Sequence, residues 1–170
     1  AQSSIPESIE KKRDHQIRYV ETHRRKLLLD YVAQEKQAQE RILYENETFT
    51  VLVPFWATWP FETMILPQID LPHIGVFKSR EIHDFADAIS KLCKAYDRLF
   101  DVSFPYSAGL QNPPCDQDHS ESWQFHMSFL PPLLRSATVK KFMVGYELFA
   151  NAQRDISAEQ AAKRLRELFW

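Results

Sequence analysis

Glycine is nearly missing from this chain. Three occur in 170 residues, and none stands in a G-x-G-x-x-G or P-loop pattern. A glycine-rich phosphate cradle is therefore excluded. Cysteine is as scarce: Cys93 and Cys115 make no disulfide framework, so free thiols and a reducing, cytoplasmic setting are expected. No apolar run approaches the roughly 18 residues of a membrane span, and the first residues are polar rather than signal-like. A surplus of positive charge is missing too. Lys plus Arg number 21 against 23 Asp plus Glu, a formal net charge of −2, so there is no broad field to draw nucleic acid. Internal repeats and low-complexity segments are also absent.

What is present suits a soluble globular protein, 44% hydrophobic and 26% charged, with 12 Phe, 6 Tyr and 4 Trp. The length fits one domain, residues 1–170, able to bury a real core. Residues 7–40 are rich in Glu, Lys, Arg, Gln and Leu, without Pro or Gly, which predicts one long helix or two abutting ones. Leu27, Leu28, Tyr31 and Val32 supply its apolar stripe. Residues 48–53 alternate and are β-branched, a strand that Pro54 ends. A second strand is read from Phe61 to Leu66. The connector between them is too short for a parallel crossover, so the pair is expected to be antiparallel. Ser79 is placed as the cap of a helix running to about Phe100, with Ile82, Phe85, Ala86, Ile89, Leu92, Tyr96 and Leu99 at helical spacing. Val102 to Ala108 is a third strand, and 111–122 a polar loop. Residues 123–129 alternate, with Trp123, Phe125, Met127 and Phe129 on one face and Gln124, His126 and Ser128 on the other. A further strand covers 139–148. After it, Ser157 and Gln160 have capping-box spacing at the start of a last helix that buries Ala161, Ala162, Leu165 and Leu168. The fold class is α+β: an antiparallel sheet with helices packed on one side.

Few side chains invite chemistry on their own. Lys11-Lys12-Arg13 and Arg24-Arg25-Lys26 interleave with Glu10, Asp14, Glu21 and Asp30 and read as a solvated helix face. Cys115, Asp116, Asp118 and His119 share one loop, but their spacing matches no standard zinc pattern. His15 and His23 fall on the charged helix, His73 in a loop and His83 at a helix start. Phe55, Trp56, Trp59 and Phe61 suit a core or a dimer contact, with an aromatic sugar platform as the alternative. The strand at 139–148 is either a core strand with a wet polar face or a surface that holds a polar ligand.

Four separated segments change the weighing: VLVPFWATWPFETMILP at 51–67, YDRLFDVSFPYSAG at 96–109, WQFHMSFLPPLLRSATVKKFMVGYELFANAQ at 123–153 and ISAEQAAKRLREL at 156–168. In this order they resemble the C-terminal half of galactose-1-phosphate uridylyltransferases, of the histidine-triad superfamily, across essentially the whole chain. The resemblance implies a histidine-triad-like half of a homodimeric nucleotidyltransferase of galactose metabolism. A histidine of a His-Pro-His motif attacks the α-phosphorus of UDP-glucose, and galactose 1-phosphate then takes the UMP, giving UDP-galactose. That motif does not occur here; Pro72-His73 follows Leu71. The resemblance puts the nucleophile a few residues upstream of Ala1, in an N-terminal half that also carries the family's zinc. The chain alone is therefore expected to be inactive and to contain no catalytic residue. What it is expected to contribute is contact with the hexose and phosphate of the nucleotide sugar, in the partner subunit's site, through Lys141, Phe142, Val144, Tyr146, Glu147 and Gln153. Arg135 and Ser136 are expected to order the turn before that strand.

Some relatives hold a second, structural metal with one glutamate and three histidines. Here the matching strand keeps His126 but has Ser128 in place of a second histidine, and Gln111 in place of a third. The alignment puts Lys12 in place of the glutamate, with Glu10 nearby. No metal is expected, since one good ligand of four is too few. Two alternatives stand beside the uridylyltransferase reading. One is a non-catalytic nucleotide-sugar-binding or interaction module that kept the fold. The other, which the match through 141–153 disfavours, is a relative with phosphorylase chemistry.

Overall fold

The computed structural model describes residues 4–101, 103–131 and 154–170. The charged N-terminal stretch divides into two helices, α1 (Glu7–His23) and α2 (Leu27–Ala38). Arg24 separates them: it takes a left-handed conformation, φ 57°, and returns its N–H to the Val20 carbonyl at 2.8 Å. The apolar stripe starts at Leu27, so α2 docks mainly by hydrophobic burial, through Leu28 and Val32. The one buried residue of α1 is Gln16.

Five strands follow among the described residues: β1 (Ile42–Glu45), β2 (Phe49–Leu52), β3 (Thr63–Pro67), β4 (Ser107–Gln111) and β5 (His126–Leu130). They form one antiparallel sheet in the order β1-β2-β3-β5-β4. β1 went unread in the sequence. It is set by Asn46, whose side-chain oxygen accepts the N–H groups of Thr48 and Phe49 at 3.2 and 2.8 Å and turns the chain into β2. Helix α3 (Ser79–Leu99) and helix α4 (Ala158–Arg166) pack on one face of the sheet, over Phe49, Val51, Ile65, Phe125 and Phe129. On the other face α2 brings Leu28 and Val32 against Leu52, Met64 and Leu66. The alternation of β2 and β3 serves both: Val51 and Ile65 point to one helix layer, Leu52, Met64 and Leu66 to the other.

Several boundaries differ from the sequence reading, each for a local reason. β3 starts at Thr63 rather than Phe61, because Phe61 is left-handed (φ 61°) and the Glu62 N–H closes a turn on the Trp59 carbonyl at 3.1 Å. β4 begins at Ser107, past Pro105, which has no N–H to give a ladder. β5 begins at His126 rather than Trp123. The preceding N–H groups are engaged elsewhere: Trp123 with the His119 carbonyl, Gln124 with the Gln16 side chain and Phe125 with the Leu71 carbonyl. Trp123 accordingly leaves the Phe125–Phe129 face and stacks on His126, its indole N–H donating to the Gln111 carbonyl. Lys78, not Ser79, occupies the position before α3, its N–H donating to the Glu81 carboxylate at 2.7 Å. Ile82 and Ala86 of the predicted stripe are exposed, and Ala88 and Ala95 take their place in the core. The capping box at α4 stands as expected: Gln160 N–H donates to Ser157 Oγ at 3.2 Å and Ser157 N–H to Gln160 Oε1 at 3.4 Å. Leu168 is half-buried, and Phe169 joins the core. The expected strand at 139–148 lies outside the described residues.

Candidate functional site

The six side chains expected to meet a nucleotide sugar, Lys141, Phe142, Val144, Tyr146, Glu147 and Gln153, lie outside the described residues, as do Arg135 and Ser136. The positions that frame the segment are described. Leu130 ends β5 beside Trp56, both lining one hollow, and the Arg154 guanidinium donates to the Phe55 carbonyl at 3.1 Å. The chain thus leaves and rejoins the described structure beside the same aromatic connector. That connector divides by depth: Phe61 is buried, Trp59 half-buried, and Phe55 and Trp56 are 58% and 44% exposed.

The hollow is a cavity of about 500 Å³ on the α2 face of the sheet, between α1, the start of α2, β3 and β5. Its walls are apolar at Leu27, Leu28, Met64 and Leu130. Seven polar side chains line it, among them Lys12, Glu62, His126 and Ser128. The Glu62 carboxylate accepts the N–H groups of Thr58 and Trp59 at 3.1 and 3.4 Å, held there by the turn at Phe61. Burial raises its pKa, while those two N–H groups and the positive charges of Lys12 and Arg154 work the other way. Burial lowers the pKa of Lys12, opposed by Glu62. His126 is 2% exposed. Its Nδ1 lies 3.0 Å from the Gln124 carbonyl, which can only accept, so Nδ1 carries the proton and Nε2 keeps a lone pair. Burial depresses this imidazole to a pKa of about 4; the bond to the Gln124 carbonyl opposes that shift and the Lys12 charge adds to it.

The structure brings the four suspected metal positions together. Gln111 and His126 face each other across the β4–β5 ladder, with Ser128 two residues further along β5. Lys12 reaches them from α1, its Nζ donating to Gln111 Oε1 at 3.2 Å. Glu10 is exposed and does not line the cavity, whereas Lys12 does. Among the described residues no three His, Cys, Asp or Glu side chains are grouped to hold a metal ion. In the 115–119 loop, His119 is buried with Nε2 2.9 Å from Asp116 Oδ1, Asp118 accepts the Ser120 N–H, and Cys115 is exposed. These are contacts that shape the loop.

Two features escaped the sequence reading. Lys26, placed on a solvated face, is 8% exposed. Its ammonium donates to the carbonyls of Ser120 and Trp123 at 2.7 and 3.0 Å and to the Asp70 carboxylate. Nothing in the run Arg24-Arg25-Lys26 separates the third cation from the first two. Only its place immediately before the apolar Leu27-Leu28 hints at burial. Glu62 supplies a negative charge to the cavity; its signal was an acidic residue inside an otherwise aromatic and apolar segment.

Comparison with known proteins accounts for this architecture. The family described as galactose-1-phosphate uridyl transferase, C-terminal domain, matches residues 12–169. The chain is 49% identical over 168 residues to the galactose-1-phosphate uridylyltransferase of Kluyveromyces lactis, covering 97% of this chain and 45% of that one. It is 45% identical over 168 residues to the Haemophilus influenzae protein of the same name, covering 99% of this chain and 48% of that one. It therefore spans about half the length of the curated relatives it matches. A solved uridylyltransferase structure superposes with a TM-score of 0.87 at 22% identity, over 98% of this chain and 52% of that one. A zinc-bound histidine-triad protein from Mycobacterium smegmatis superposes at 0.56 and 14% identity, over 85% of this chain and 92% of that one. Both of these likenesses are of fold. By its sequence, and by a sheet and helix layer of that fold, the chain belongs to the galactose-1-phosphate uridylyltransferase family and corresponds to its C-terminal domain.

Proposed function

We infer that this chain is the substrate-gripping half of a UDP-glucose–hexose-1-phosphate uridylyltransferase. On this reading Lys141, Phe142, Val144, Tyr146, Glu147 and Gln153 contact the nucleotide sugar, while a histidine of the upstream half attacks the α-phosphorus. The observation that carries the reading is 45–49% identity to curated uridylyltransferases over 97–99% of the chain, a span that includes 141–153. The chemistry of these side chains agrees. The lysine ammonium offers a point charge to a phosphate oxygen. The glutamate carboxylate accepts from sugar hydroxyls, and the tyrosine hydroxyl and glutamine amide can donate or accept. UDP-glucose and UDP-galactose differ at one hydroxyl and both must react, so these contacts orient the hexose without selecting one epimer.

The enzyme so formed works as a homodimer in the cytoplasm, with the exposed Phe55 and Trp56 available to an interface. Among the described residues no helix is long and apolar enough to cross a membrane. Zinc belongs to the upstream half, and none is assigned to this one. The test is steady-state kinetics of the full-length protein. Glu147→Ala and Lys141→Ala should each lower kcat/KM for UDP-glucose about 10- to 100-fold, the loss of one charge-assisted hydrogen bond. The 170-residue chain alone should transfer no UMP. Unchanged kcat/KM in both variants, or transfer by the isolated chain, would overturn the proposal.

A further inference from the structure

The cluster formed by Lys12, Gln111, His126 and Ser128 has the layout of an ion site and the wrong chemistry for an ion. An ammonium holds its protons and has no lone pair to give. Gln111 and Ser128 offer a carboxamide and a hydroxyl, weak partners for a transition metal, so His126 is the one good donor. A divalent cation there would also sit against the Lys12 charge in a half-buried setting, where like charges repel more strongly than in water. The residues do not fit a metal.

We propose that the Lys12 ammonium takes the place of that ion, acting as a built-in cation that clamps α1 to the β4–β5 edge of the sheet. Three observations meet here. First, Lys12 Nζ bonds Gln111 Oε1 at 3.2 Å, joining residues 99 apart in sequence. Gln111 is in turn paired with His126 in the ladder, so the ammonium reaches both strands at this pair. Second, the Glu62 carboxylate faces the same cavity. It supplies the counter-charge, and the pair Lys12 and Glu62 sums to zero without a bound ion. Third, α1 needs such a tie. Its one fully buried residue is a glutamine, and its apolar Ile17 and Val20 are only half-buried, so apolar burial holds it weakly. Polar links do: Lys12 to Gln111, Arg13 to Asp116 at 3.4 Å, and one turn on from Lys12, Gln16 Oε1 accepting the Gln124 N–H at 3.0 Å. Of these, the Lys12 link is the one directed at the cluster itself.

The experiment uses the full-length protein with three measurements. Elemental analysis after incubation with zinc should give the same metal equivalents per chain for wild type and His126→Ala. Thermal unfolding of Lys12→Met should show a melting temperature lowered by roughly 3–6 °C, by the same amount with and without chelator, with Lys12→Arg recovering most of it. The triple variant Lys12→Glu, Gln111→His, Ser128→His should gain one equivalent of zinc over wild type, since it restores a carboxylate and two imidazoles beside His126. Loss of one metal equivalent in His126→Ala would overturn the proposal. So would a Lys12→Met protein as stable as wild type, or a folded triple variant that takes up no additional zinc.

Discussion

Removing a single oxygen atom, in Tyr96→Phe, tests how the cavity is held open and charged. Tyr96 is fully buried. Its hydroxyl donates to the Phe61 carbonyl at 2.7 Å and lies 2.8 Å from Thr63 Oγ1, which can then donate to it. Burial raises the phenol pKa, so the group stays a neutral donor at any ordinary pH. Phe61 is left-handed, and a non-glycine residue in that region carries on the order of 1–3 kcal/mol of strain that its surroundings must hold. The next residue is Glu62, the acidic wall of the cavity. In Tyr96→Phe the ring keeps its packing against Phe104, Tyr106 and Phe129. The Phe61 carbonyl and the Thr63 hydroxyl are left without that partner. Each buried polar group stranded this way costs about 1–3 kcal/mol, so about 2–4 kcal/mol is expected after partial relaxation. Urea unfolding of the chain, followed by far-ultraviolet circular dichroism and tryptophan fluorescence, reads this as a lower midpoint at unchanged slope. Thr63→Val should cost less, because the Phe61 bond survives it. The double variant should be less destabilised than the sum of the two, with a coupling of roughly 0.5–3 kcal/mol. A Tyr96→Phe cost below about 0.5 kcal/mol would refute the reasoning, since it would mean that the strained turn is held by something else.

Acid should destabilise the fold through His126. Its folded pKa of about 4 lies below the ordinary 6.5, so between these values the unfolded chain binds a proton that the folded chain refuses. Stability therefore rises with pH across that window and is lost as pH falls through it, by about 3 kcal/mol in all at 1.36 kcal/mol per pH unit. His126→Asn should flatten this limb of the urea midpoint against pH; an unaltered slope would count against a buried neutral ring. Arg41 joins α2 to α4, its guanidinium bonding Glu35 at 2.9 and 3.0 Å and Glu159 at 2.7 Å. Glu35 is 1% exposed, so Arg41→Met should cost about 3–5 kcal/mol by stranding a buried charge, and adding Glu35→Met should restore most of it. Equal stability of Arg41→Met and wild type in denaturant would rule this out.

The family, and with it the class of reaction proposed, could be read in the chain itself because its motifs are local runs of residues. Elements governed by local chemistry were equally legible. The capping box at Ser157 needs only Ser157 and Gln160, three residues apart. The strand at 48–53 announces itself by β-branched alternation, and Pro54 by its missing N–H. Boundaries moved where distant atoms competed for backbone groups: β5 begins late because Leu71, His119 and the Gln16 side chain take the preceding N–H groups. The sequence contained the wrong ligands for a metal, and their types could be listed.

That Lys12 rather than Glu10 faces His126 could not be read there. Neither could the burial of Lys26 while Arg24 and Arg25 stay in water. By itself the sequence determined the family and, among the described residues, most of the helices and strands though not β1, since these follow from neighbours a few positions apart. The tertiary structure alone decided which charges meet. A side chain's electrostatic surroundings are set by residues tens of positions away, 99 in the case of Lys12 and Gln111, and no period in the chain records them.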